Sequence, residues 1–593
     1  MVASGLLRPA ETLTKVSTLA HVTRRSLLLA GAGGLALLAL GKGSLAQTTD
    51  RALAVTASRA LSTQGTTLEQ AASATGSAGY RRLSAGPGFP LIVRQELARA
   101  GSTRDAARTA VASVVQVTDL HIMDAQSPMR FEYMIDIDPT AFRPHEALGT
   151  QAAAQLVKRI NHLGSGPFGG RTFDCVVSTG DNTDNHESIE LDWFLTIMNG
   201  GRIVANTGAT AEWEGVQSSG QAIYYNPALG SRDQFKDAGY PQIEEYFARV
   251  IHPHFSAGLR TPWYSVFGNH DDSINGLMPS DYRPLKELYT GTTKFTGFDT
   301  REANLELASA FVGARPIESN WDARPSRGWQ ITADERRAPF TPADFMSAHL
   351  AADAVGPGPV GHGFDVTSVA ADRSYYTFAI APGVTGVALD STNRAGFVRG
   401  SLGTAQLRWL DATLRAGTST YYDESGNKVT HPADDTYFVL FSHHTTGTMD
   451  NSLPDPAKPA EVRHLGPEIV ALVQRYPTVL AWVNGHTHSN AITAHAGPVP
   501  SRSFWEVNTA SHIEFPQQAR IIEICDNRDG TLSLFTTLIE SAAPYQASYA
   551  DESQAALGSL YREFSFNVPH FKANHGGTPL DQNTELLLAN PLA

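Results

Sequence analysis

A short apolar run followed by Gly-Asp constrains the possible fold of this chain more than any other stretch of its sequence. Residues 173–177 predict a buried β-strand, and Gly180-Asp181 follow it closely. In an open α/β sheet, ligands bind at the carboxyl ends of the strands, where a glycine allows the backbone to approach closely. We therefore expect Asp181 to lie at a ligand-binding edge. The dipeptide alone carries little weight, because Asp after Gly is also common in turns.

The segment before this strand predicts a parallel βαβ unit. Residues 114–117 predict a strand that leads to an Asp-x-His pair, Asp119 and His121, and residues 146–163 have the apolar spacing of a helix. A strand, a crossover helix and a second strand place both strands parallel in one sheet, so Asp119 and Asp181 should share an edge. Residues two apart in an extended chain point to the same side, so Asp119 and His121 can reach one cation.

Three further apolar runs end in the same kinds of side chain. They are 263–267 before Gly268-Asn269-His270-Asp271, 436–442 before His443-His444, and 479–483 before Gly485-His486-Thr487-His488. Each cluster alone has a structural explanation, because histidines are common both in cores and on surfaces. Five strand ends that carry Asp, Asn or His, and no thiolate, together predict a metal centre with nitrogen and oxygen ligands.

The remaining sequence predicts one core domain with extensions and insertions. The core spans residues 111–540, after an N-terminal extension at 47–110 and before a polar tail at 541–593 that we expect to wrap the surface. Stretches with little periodicity, at about 200–246 and 273–377, interrupt the core. A structureless loop as long as the second is improbable, so we expect it to carry elements of its own, and it is a candidate roof for the site.

The region after the last ligand block predicts a continuation of the sheets. Residues 504–512 are expected to run along the second sheet, and 521–525 and 531–538 predict a β-hairpin. For His512 and Arg520 we favour structural roles over substrate contact.

The first 46 residues predict an export signal. Arg24 and Arg25 precede an uncharged run through Leu40, and small residues suited to a signal peptidase follow, up to Ala46. Adjacent arginines indicate the twin-arginine export machinery. A membrane anchor is the alternative, but a helix from Leu27 to Leu40 spans only about 21 Å at ~1.5 Å per residue, short of a ~30 Å hydrocarbon core. We expect cleavage near Ala46, a secreted or cell-envelope location, and no stable membrane span afterwards.

Composition limits the classes of function. With 593 residues, 42% of them hydrophobic and 18% charged, the chain can bury a large globular core. A net charge of −13 argues against nucleic acid as an obligate partner, because phosphate-backbone binding relies on basic patches. A small phosphorylated substrate remains compatible, since bound cations reverse the local field. Cys175 and Cys525 lie in apolar runs, so we expect buried free thiols, with a disulfide as the alternative.

The order of the strand-end blocks resembles the calcineurin-like metallophosphoesterase superfamily. Asp-x-His, Gly-Asp-x-x-Asp, Gly-Asn-His-Asp, His and Gly-His-x-His follow one another between Asp119 and His488. The resemblance implies an α/β fold, a four-layer α/β/β/α sandwich of two mixed sheets, here with large insertions. The predicted signal, the length and residues 505–520 resemble an exported actinobacterial branch of the family.

The same resemblance implies seven metal ligands and two further site residues. One metal would be held by Asp119, His121, Asp181 and His488. The second would share Asp181 and add Asn269, His443 and His486, with His443 preferred to His444 because the first histidine usually fills this role in the family. His270 would lie over the leaving group, and we expect Asp271 to orient His270.

The chemistry expected of such a centre is phosphoester hydrolysis. Metal binding lowers the pKa of water from roughly 15.7 toward ~7, so a hydroxide shared by two cations could attack phosphorus. The ligand types suit Mn, Fe, Zn or Co. We expect an exported phosphodiesterase or phosphatase; the alternatives are a nucleotidase-like or acid-phosphatase-like monoesterase and a non-catalytic metal-dependent binding protein. A purple acid phosphatase would need a tyrosine ligand soon after Asp181, where the chain has Thr183-Asp184-Asn185.

Overall fold

The structure is a computed structural model that describes most of the chain. The described residues are 53–54, 62–77, 79–135, 139–228, 230–278, 288–298, 300, 302, 325–354, 356–396, 398–568 and 575–593. The predicted export signal and part of the second insertion lie outside the described residues.

Strands and α-helices are numbered here in chain order. The strands are β1 (Leu53–Ala54), β2 (Gln70–Ala74), β3 (Leu83–Pro87), β4 (Ile92–Arg94), β5 (Thr109–Val117), β6 (Cys175–Thr179), β7 (Gly201–Ile203), β8 (His254–Ser256), β9 (Trp263–Val266), β10 (Thr293–Phe298), β11 (Pro325–Gln330), β12 (Tyr376–Ala381), β13 (Val384–Ala388), β14 (Leu402–Gly403), β15 (Thr420–Tyr422), β16 (Lys428–Thr430), β17 (Tyr437–Phe441), β18 (Arg463–His464), β19 (Val479–Asn484), β20 (Ala491–His495), β21 (Phe504–Asn508), β22 (Gln518–Asp526), β23 (Thr531–Glu540) and β24 (Thr584–Ala589). The α-helices are α1 (Arg104–Ala107), α2 (Gly149–Leu163), α3 (Ser188–Asn199), α4 (Gln234–Asp237), α5 (Tyr246–Ile251), α6 (Pro342–His349), α7 (Val366–Ala370), α8 (Thr404–Ala416), α9 (Gly466–Val473) and α10 (Gln554–Phe566).

The larger sheet has eight strands in the order β1-β4-β24-β23-β22-β5-β6-β9. Strands β5, β6 and β9 run parallel, with Val115 paired to Val176 and Val177 paired to Tyr264. Helix α2 connects β5 to β6, so the predicted βαβ unit is confirmed. The chain therefore leaves β5, β6 and β9 at the same edge of the sheet.

The smaller sheet has six strands in the order β12-β13-β17-β19-β21-β20. Its four inner strands run parallel, whereas the outermost strands β12 and β20 are antiparallel to their neighbours. The apolar runs predicted at 436–442 and 479–483 form β17 and β19, and β21 lies beside β19, as expected. The polar clusters after β17 and β19 therefore also share one edge.

The two sheets share an apolar core, and helices cover their outer faces. Val439 and Phe441 of β17 belong to the same buried cluster as Val115 of β5. Because side chains alternate along a strand, Phe438 and Leu440 face the other way, into a cluster with α8 and α9. Helices α2 and α3 pack on the larger sheet around a small apolar cavity, and α10 packs against α2. The expected α/β fold of two mixed sheets between outer helices is confirmed.

Both predicted insertions carry secondary structure. Residues 200–246 contain β7, α4 and the start of α5, and the described part of 273–377 contains β10, β11, α6, α7 and the start of β12. The expectation that the longer insertion has elements of its own is therefore confirmed. Strands β22 and β23 form the predicted hairpin. Cys175 and Cys525 are both buried and free, as expected.

The C-terminal tail differs from the prediction. Helix α10 is largely buried, and β24 inserts between β23 and β4 of the larger sheet. Leu586 and Leu588 of β24 belong to the main core cluster. The expectation that residues 541–593 wrap the surface is wrong. The composition of the tail is polar as a whole, but it contains two short segments with apolar residues that are buried in the fold. Strand β4 of the N-terminal extension pairs with β24, so the extension and the tail both contribute strands to this sheet.

Among the described residues, none of the helices combines the length and the hydropathy that a membrane-spanning segment requires.

Replacing Leu586 tests whether the tail belongs to the core. Leu586 has no exposed surface, so Leu586→Ala should lower the free energy of unfolding by about 2–5 kcal/mol through lost burial and a residual cavity. Leu592, which is 40% exposed, supplies the control, and Leu592→Ala should change stability by less than ~0.5 kcal/mol. Urea unfolding measures both, and equal midpoints for the two variants would contradict the assignment.

Candidate metal centre

The predicted ligand residues follow the carboxyl ends of five strands from both sheets. In the larger sheet, β5, β6 and β9 lead to Asp119, Asp181 and Asn269. In the smaller sheet, β17 and β19 lead to His443 and His486. The candidate centre therefore lies where the ligand-presenting edges of the two sheets meet.

Two hydrogen bonds fix these strand ends relative to one another. The backbone N–H of Asp119 donates to the Gly180 carbonyl at 3.1 Å, within the larger sheet. Across the sheets, Nδ1 of His443 lies 2.9 Å from the Thr179 carbonyl. A side chain at Gly180 would prevent this approach, because its Cβ would lie 2.8 Å from the Cβ of His443. The φ of 91° at Gly180 also favours glycine.

Asp119, His121 and His488 form what we name the first ligand group. Each offers one donor atom, and these atoms all lie within 4.8 Å of one another. Nε2 of His488 lies 3.3 Å from Nε2 of His121 and 3.4 Å from Oδ1 of Asp119. All three side chains point their donor atoms at a common space.

Asp181, His443 and His486, together with Asn269, form the second ligand group. The donor atoms of the first three lie within 4.8 Å of one another. Nε2 of His443 is 3.1 Å from Oδ2 of Asp181 and 3.2 Å from Nδ1 of His486. Oδ1 of Asn269 lies 3.0 Å from the first of these nitrogens and 3.2 Å from the second.

Asp181 faces both ligand groups with one oxygen. Its Oδ2 lies 3.1 Å from Nε2 of His443 and 3.6 Å from Nε2 of His121. The structure thus brings all seven predicted ligand residues together, with Asp181 between the two groups. Their role as ligands stays a prediction.

Five of these seven residues have a left-handed backbone conformation. They are Asp119, His121, Asp181, His486 and His488, with φ of 49°, 42°, 50°, 71° and 55°. Only a few per cent of non-glycine residues adopt positive φ, which costs of order 1–3 kcal/mol each and occurs mainly at functional sites. The conformation turns each side chain sharply from its strand into the centre.

Buried carboxylates hold the two histidines of the first ligand group. Nδ1 of His121 lies 2.7 Å from Oδ1 of Asp184, and Nδ1 of His488 lies 2.8 Å from Oε2 of Glu514. These bonds fix each ring and leave Nε2 to face the centre, as outer partners of metal-binding histidines do. In the second ligand group, the partner of His443 is the neutral Thr179 carbonyl.

Asp184 and Glu514 are two residues of the site for which the sequence predicted no role. Asp184 belongs to the Gly-Asp-x-x-Asp block, so its position in that block could have identified it. Glu514 carries no such signal, because only folding brings it to His488. Buried arginines compensate both charges: Arg130 pairs with Asp184, and Arg143 pairs with Glu514 at 2.8 Å.

The structure places His270 at the centre but gives Asp271 other contacts. The His270 side chain is 20% exposed, and its Nδ1 lies 2.8 Å from the Asp184 carbonyl. The Asp271 carboxylate accepts hydrogen bonds from Gly268, Asn182 and Thr183. Among the residues that the structure describes, it has no hydrogen bond to the His270 ring. Asp271 ties the loop after β9 to the loop after β6, and its expected role in orienting His270 stays a prediction that no direct bond to the ring supports.

The other polar residues noted in the sequence lie behind the centre. Nδ1 of His444 lies 2.9 Å from Oγ of Ser391, and His444 belongs to neither ligand group. His512 is buried against the Tyr561 ring. Arg520 is fully buried and donates to several partners, including Thr509 Oγ1 at 2.9 Å. These contacts agree with structural roles for His512 and Arg520.

The centre perturbs the pKa values of its histidines in opposite directions. Burial lowers the pKa of His443, but Asp181 and Asp119 outweigh it and raise the pKa to about 9. Burial likewise lowers the pKa of His488, whereas Glu514 and Asp119 raise it to about 10. In His121, burial and the neighbouring His270 lower the pKa to about 4.

The donor set fits two transition-metal cations. Each ligand group combines imidazole nitrogens with carboxylate or amide oxygens and contains no thiolate, a mixture that suits Mn, Fe, Zn or Co. Buried carboxylates that face imidazoles at 3.1–3.6 Å require a positive charge between them, from protons or from a metal. Asp181 would be shared by the two cations.

Comparisons with solved structures give distant similarities. No protein-family model and no curated protein matches the chain. Solved structures do match, and one is a crystal structure of a dimetal phosphatase from Danio rerio. It is 11% identical, the match covers 73% of this chain and 99% of that chain, and the TM-score is 0.34.

Metal binding at pH 7 should release protons. With pKa values raised to about 9 and about 10, His443 and His488 should be protonated at pH 7 without a cation and should lose a proton when they bind one. The apparent metal affinity should therefore rise with pH until it passes these values. Calorimetric titration of chelated protein, in buffers of different ionisation enthalpy, counts the protons. Binding at pH 7 without proton release would contradict the assignment.

Glu514→Gln should weaken one of the two cation sites. The change removes the charge that holds Nδ1 of His488, and loss of such an outer partner costs about 10–100-fold in metal affinity. Glu468→Gln is the matched control, because Glu468 pairs with His464 at 2.8 Å and its side chain is 58% exposed. Metal titration with circular dichroism as a folding check compares the two. Equal affinity of both variants for both cations would exclude this role of Glu514.

Proposed function

We propose that this chain is a dinuclear-metal phosphoester hydrolase. The observation that carries the proposal is the convergence of seven nitrogen and oxygen donor side chains, from five strand ends, into two groups that share Asp181. Two metals that share a ligand act together on phosphoryl oxygens and on an attacking water. The order of the blocks in the sequence, which resembles the calcineurin-like metallophosphoesterases, supports the same class.

The protein would contribute placement and charge. Two cations would supply Lewis acidity toward the phosphoryl oxygens and an acidified water near neutral pH. Asp181 would set the spacing of the two groups, because one of its oxygens faces both. The buried carboxylates behind His121 and His488 would strengthen these imidazoles as ligands.

His270 would deliver the proton to the leaving oxygen. Because Nδ1 donates to the Asp184 carbonyl, Nε2 is the nitrogen left to act on substrate. The ring lies beside His121, with 4.5 Å between ring centroids, yet it keeps partial solvent exposure. Protonation of a leaving group by a positioned histidine is worth about 10²–10⁴ in rate.

The proposed substrate is a small phosphodiester or phosphomonoester. The net charge of −13 disfavours nucleic acid as an obligate partner, so we propose a small molecule whose phosphoryl charge the two cations would neutralise.

We further propose export by the twin-arginine route to the cell envelope or the medium. The support is the Arg24-Arg25 segment with its short apolar run. Two buried free thiols, at Cys175 and Cys525, suit a protein that folds and binds its metals before export.

Hydrolysis of bis(p-nitrophenyl) phosphate and p-nitrophenyl phosphate tests the function. Purified protein should lose turnover on chelation and regain it when Mn, Fe, Zn or Co is added back. Asp181→Asn should bind less metal and lose at least ~10³-fold in rate, because the shared ligand loses its charge. Asp434→Asn, an exposed aspartate, is the control and should behave as the parent.

The outcomes separate the candidate functions. Hydrolysis of the monoester alone would favour a nucleotidase-like or acid-phosphatase-like enzyme. Two bound metals without turnover on either ester would favour a metal-dependent binding protein. A fully active Asp181→Asn variant would rule out the shared ligand.

A further inference from the structure

A left-handed turn follows the candidate acid His270 in the chain. After the short 3-10 helix Asn269–Asp271, the backbone reverses through Asn275 and Gly276, with φ of 50° and 68°. The N–H of Gly276 donates to the Ser273 carbonyl at 3.0 Å. The turn thus brings Gly276 back toward the 3-10 helix Asn269–Asp271.

Gly276 lies directly against the side chains of His270 and Asn269. A Cβ at Gly276 would overlap Cδ2 and Nε2 of the His270 ring, and it would lie 2.8 Å from Nδ2 of Asn269. The Gly276 carbonyl accepts a hydrogen bond of 3.1 Å from the same Nδ2. That bond decides which end of the amide faces the metal centre, because it leaves Oδ1 toward His443 and His486.

The turn is anchored to the loop that follows the first Asp-x-His block. Nδ2 of Asn275 donates to the Met129 carbonyl at 3.0 Å. The flanking residues Ile274 and Leu277 are buried in one apolar cluster with Met129 and Phe131. The same cluster includes residues of the long insertion, among them Phe295 of β10. Packing of the insertion therefore holds the turn in place from outside.

We propose that Gly276 is the positioning residue for His270 and for Asn269. The inference deepens the proposed function and rests on it. The bare α-carbon of Gly276 is the surface on which the imidazole rests, and its carbonyl sets the orientation of the Asn269 amide. A side chain at this position would displace Nε2 of His270, the nitrogen that is to meet the leaving oxygen. Misplacement of a reacting group by ~1 Å can cost about 10²-fold in rate.

Gly276→Ala tests the proposal, and Gly170→Ala is its matched control. Gly170 has a φ of 66°, almost the value at Gly276, but a Cβ there would meet nothing within 4 Å. Both variants therefore introduce the same backbone strain, and only one introduces the overlap. With saturating metal, we expect kcat of Gly276→Ala to fall about 10²-fold with KM within about 3-fold of the parent. Gly170→Ala should keep the parent kcat.

A double-mutant cycle with His270→Ala identifies the path of the effect. If Gly276 acts through His270, Gly276→Ala should cost less than about 3-fold in a His270→Ala background, because effects of residues that act as a unit are not additive. Phenyl esters should suffer more than p-nitrophenyl esters, since the poorer leaving group depends more on the proton. An equal loss in both backgrounds with the metal affinity of the parent, or an unchanged kcat, would overturn the proposal, because an effect through Asn269 would also weaken metal binding.

Two further measurements keep the test decisive. If Gly276→Ala does not fold, Asn275→Gly retains the left-handed turn but removes the bond to Met129, and it should lower kcat in the same direction and only when His270 is present. A crystal structure of Gly276→Ala should show a displaced His270 ring, and an unmoved ring would refute the inference. This readout is independent of turnover. Failure of the metal-loaded parent to hydrolyse either ester would instead refute the proposed function.

Discussion

The structure depends on the burial of seven polar side chains, the predicted ligands of the candidate metal centre, where the edges of two sheets meet. Two of them are carboxylates that face imidazoles at 3.1–3.6 Å, and removing such groups from water is costly unless opposite charge lies between them. Protons on His443 and His488 can supply that charge, and two cations can replace them. A shift of one sheet along the other would separate His443 and His486, which follow β17 and β19, from Asp181, which follows β6.

The surrounding structure holds the centre in a conformation that the backbone alone disfavours. Five ligand residues have positive φ, at a cost that the packed sheets on both sides must offset. Gly180 and Gly276 contribute in another way than these residues do. Each has no Cβ at a point where a histidine of the site lies close to the backbone. Outside this shell, Asp184 and Glu514 orient His121 and His488, and buried arginines balance their charge. Ligand geometry, backbone conformation and charge are therefore determined together.

The predictions from the sequence succeeded where the signal was local and failed where it was not. Apolar runs that end in Asp, Asn or His identified β5, β6, β9, β17 and β19, because burial on both faces and a polar strand end both appear within about ten residues. The prediction for the tail failed because the three leucines of β24 change the mean composition of residues 541–593 very little. These leucines nevertheless lie in a buried strand of the larger sheet. The assignment of Asp271 to His270 assumed that neighbours in sequence are neighbours in contact. In the fold, Asp271 turns to Asn182 and Thr183 of another loop.

The sequence by itself determined the α/β class, the parallel edge with Asp119 and Asp181, and the types of donor atom available to a metal. These follow from residue spacing and side-chain chemistry, which need no knowledge of distant contacts. That the smaller sheet brings His443 and His486 to the same centre was expected only through the family resemblance, and the tertiary structure decided it. Only folding, likewise, placed Glu514 behind His488 and Gly276 beneath His270. Such contacts join residues on different loops and form only when the two sheets pack. The spacing of residues along the sequence therefore does not specify them.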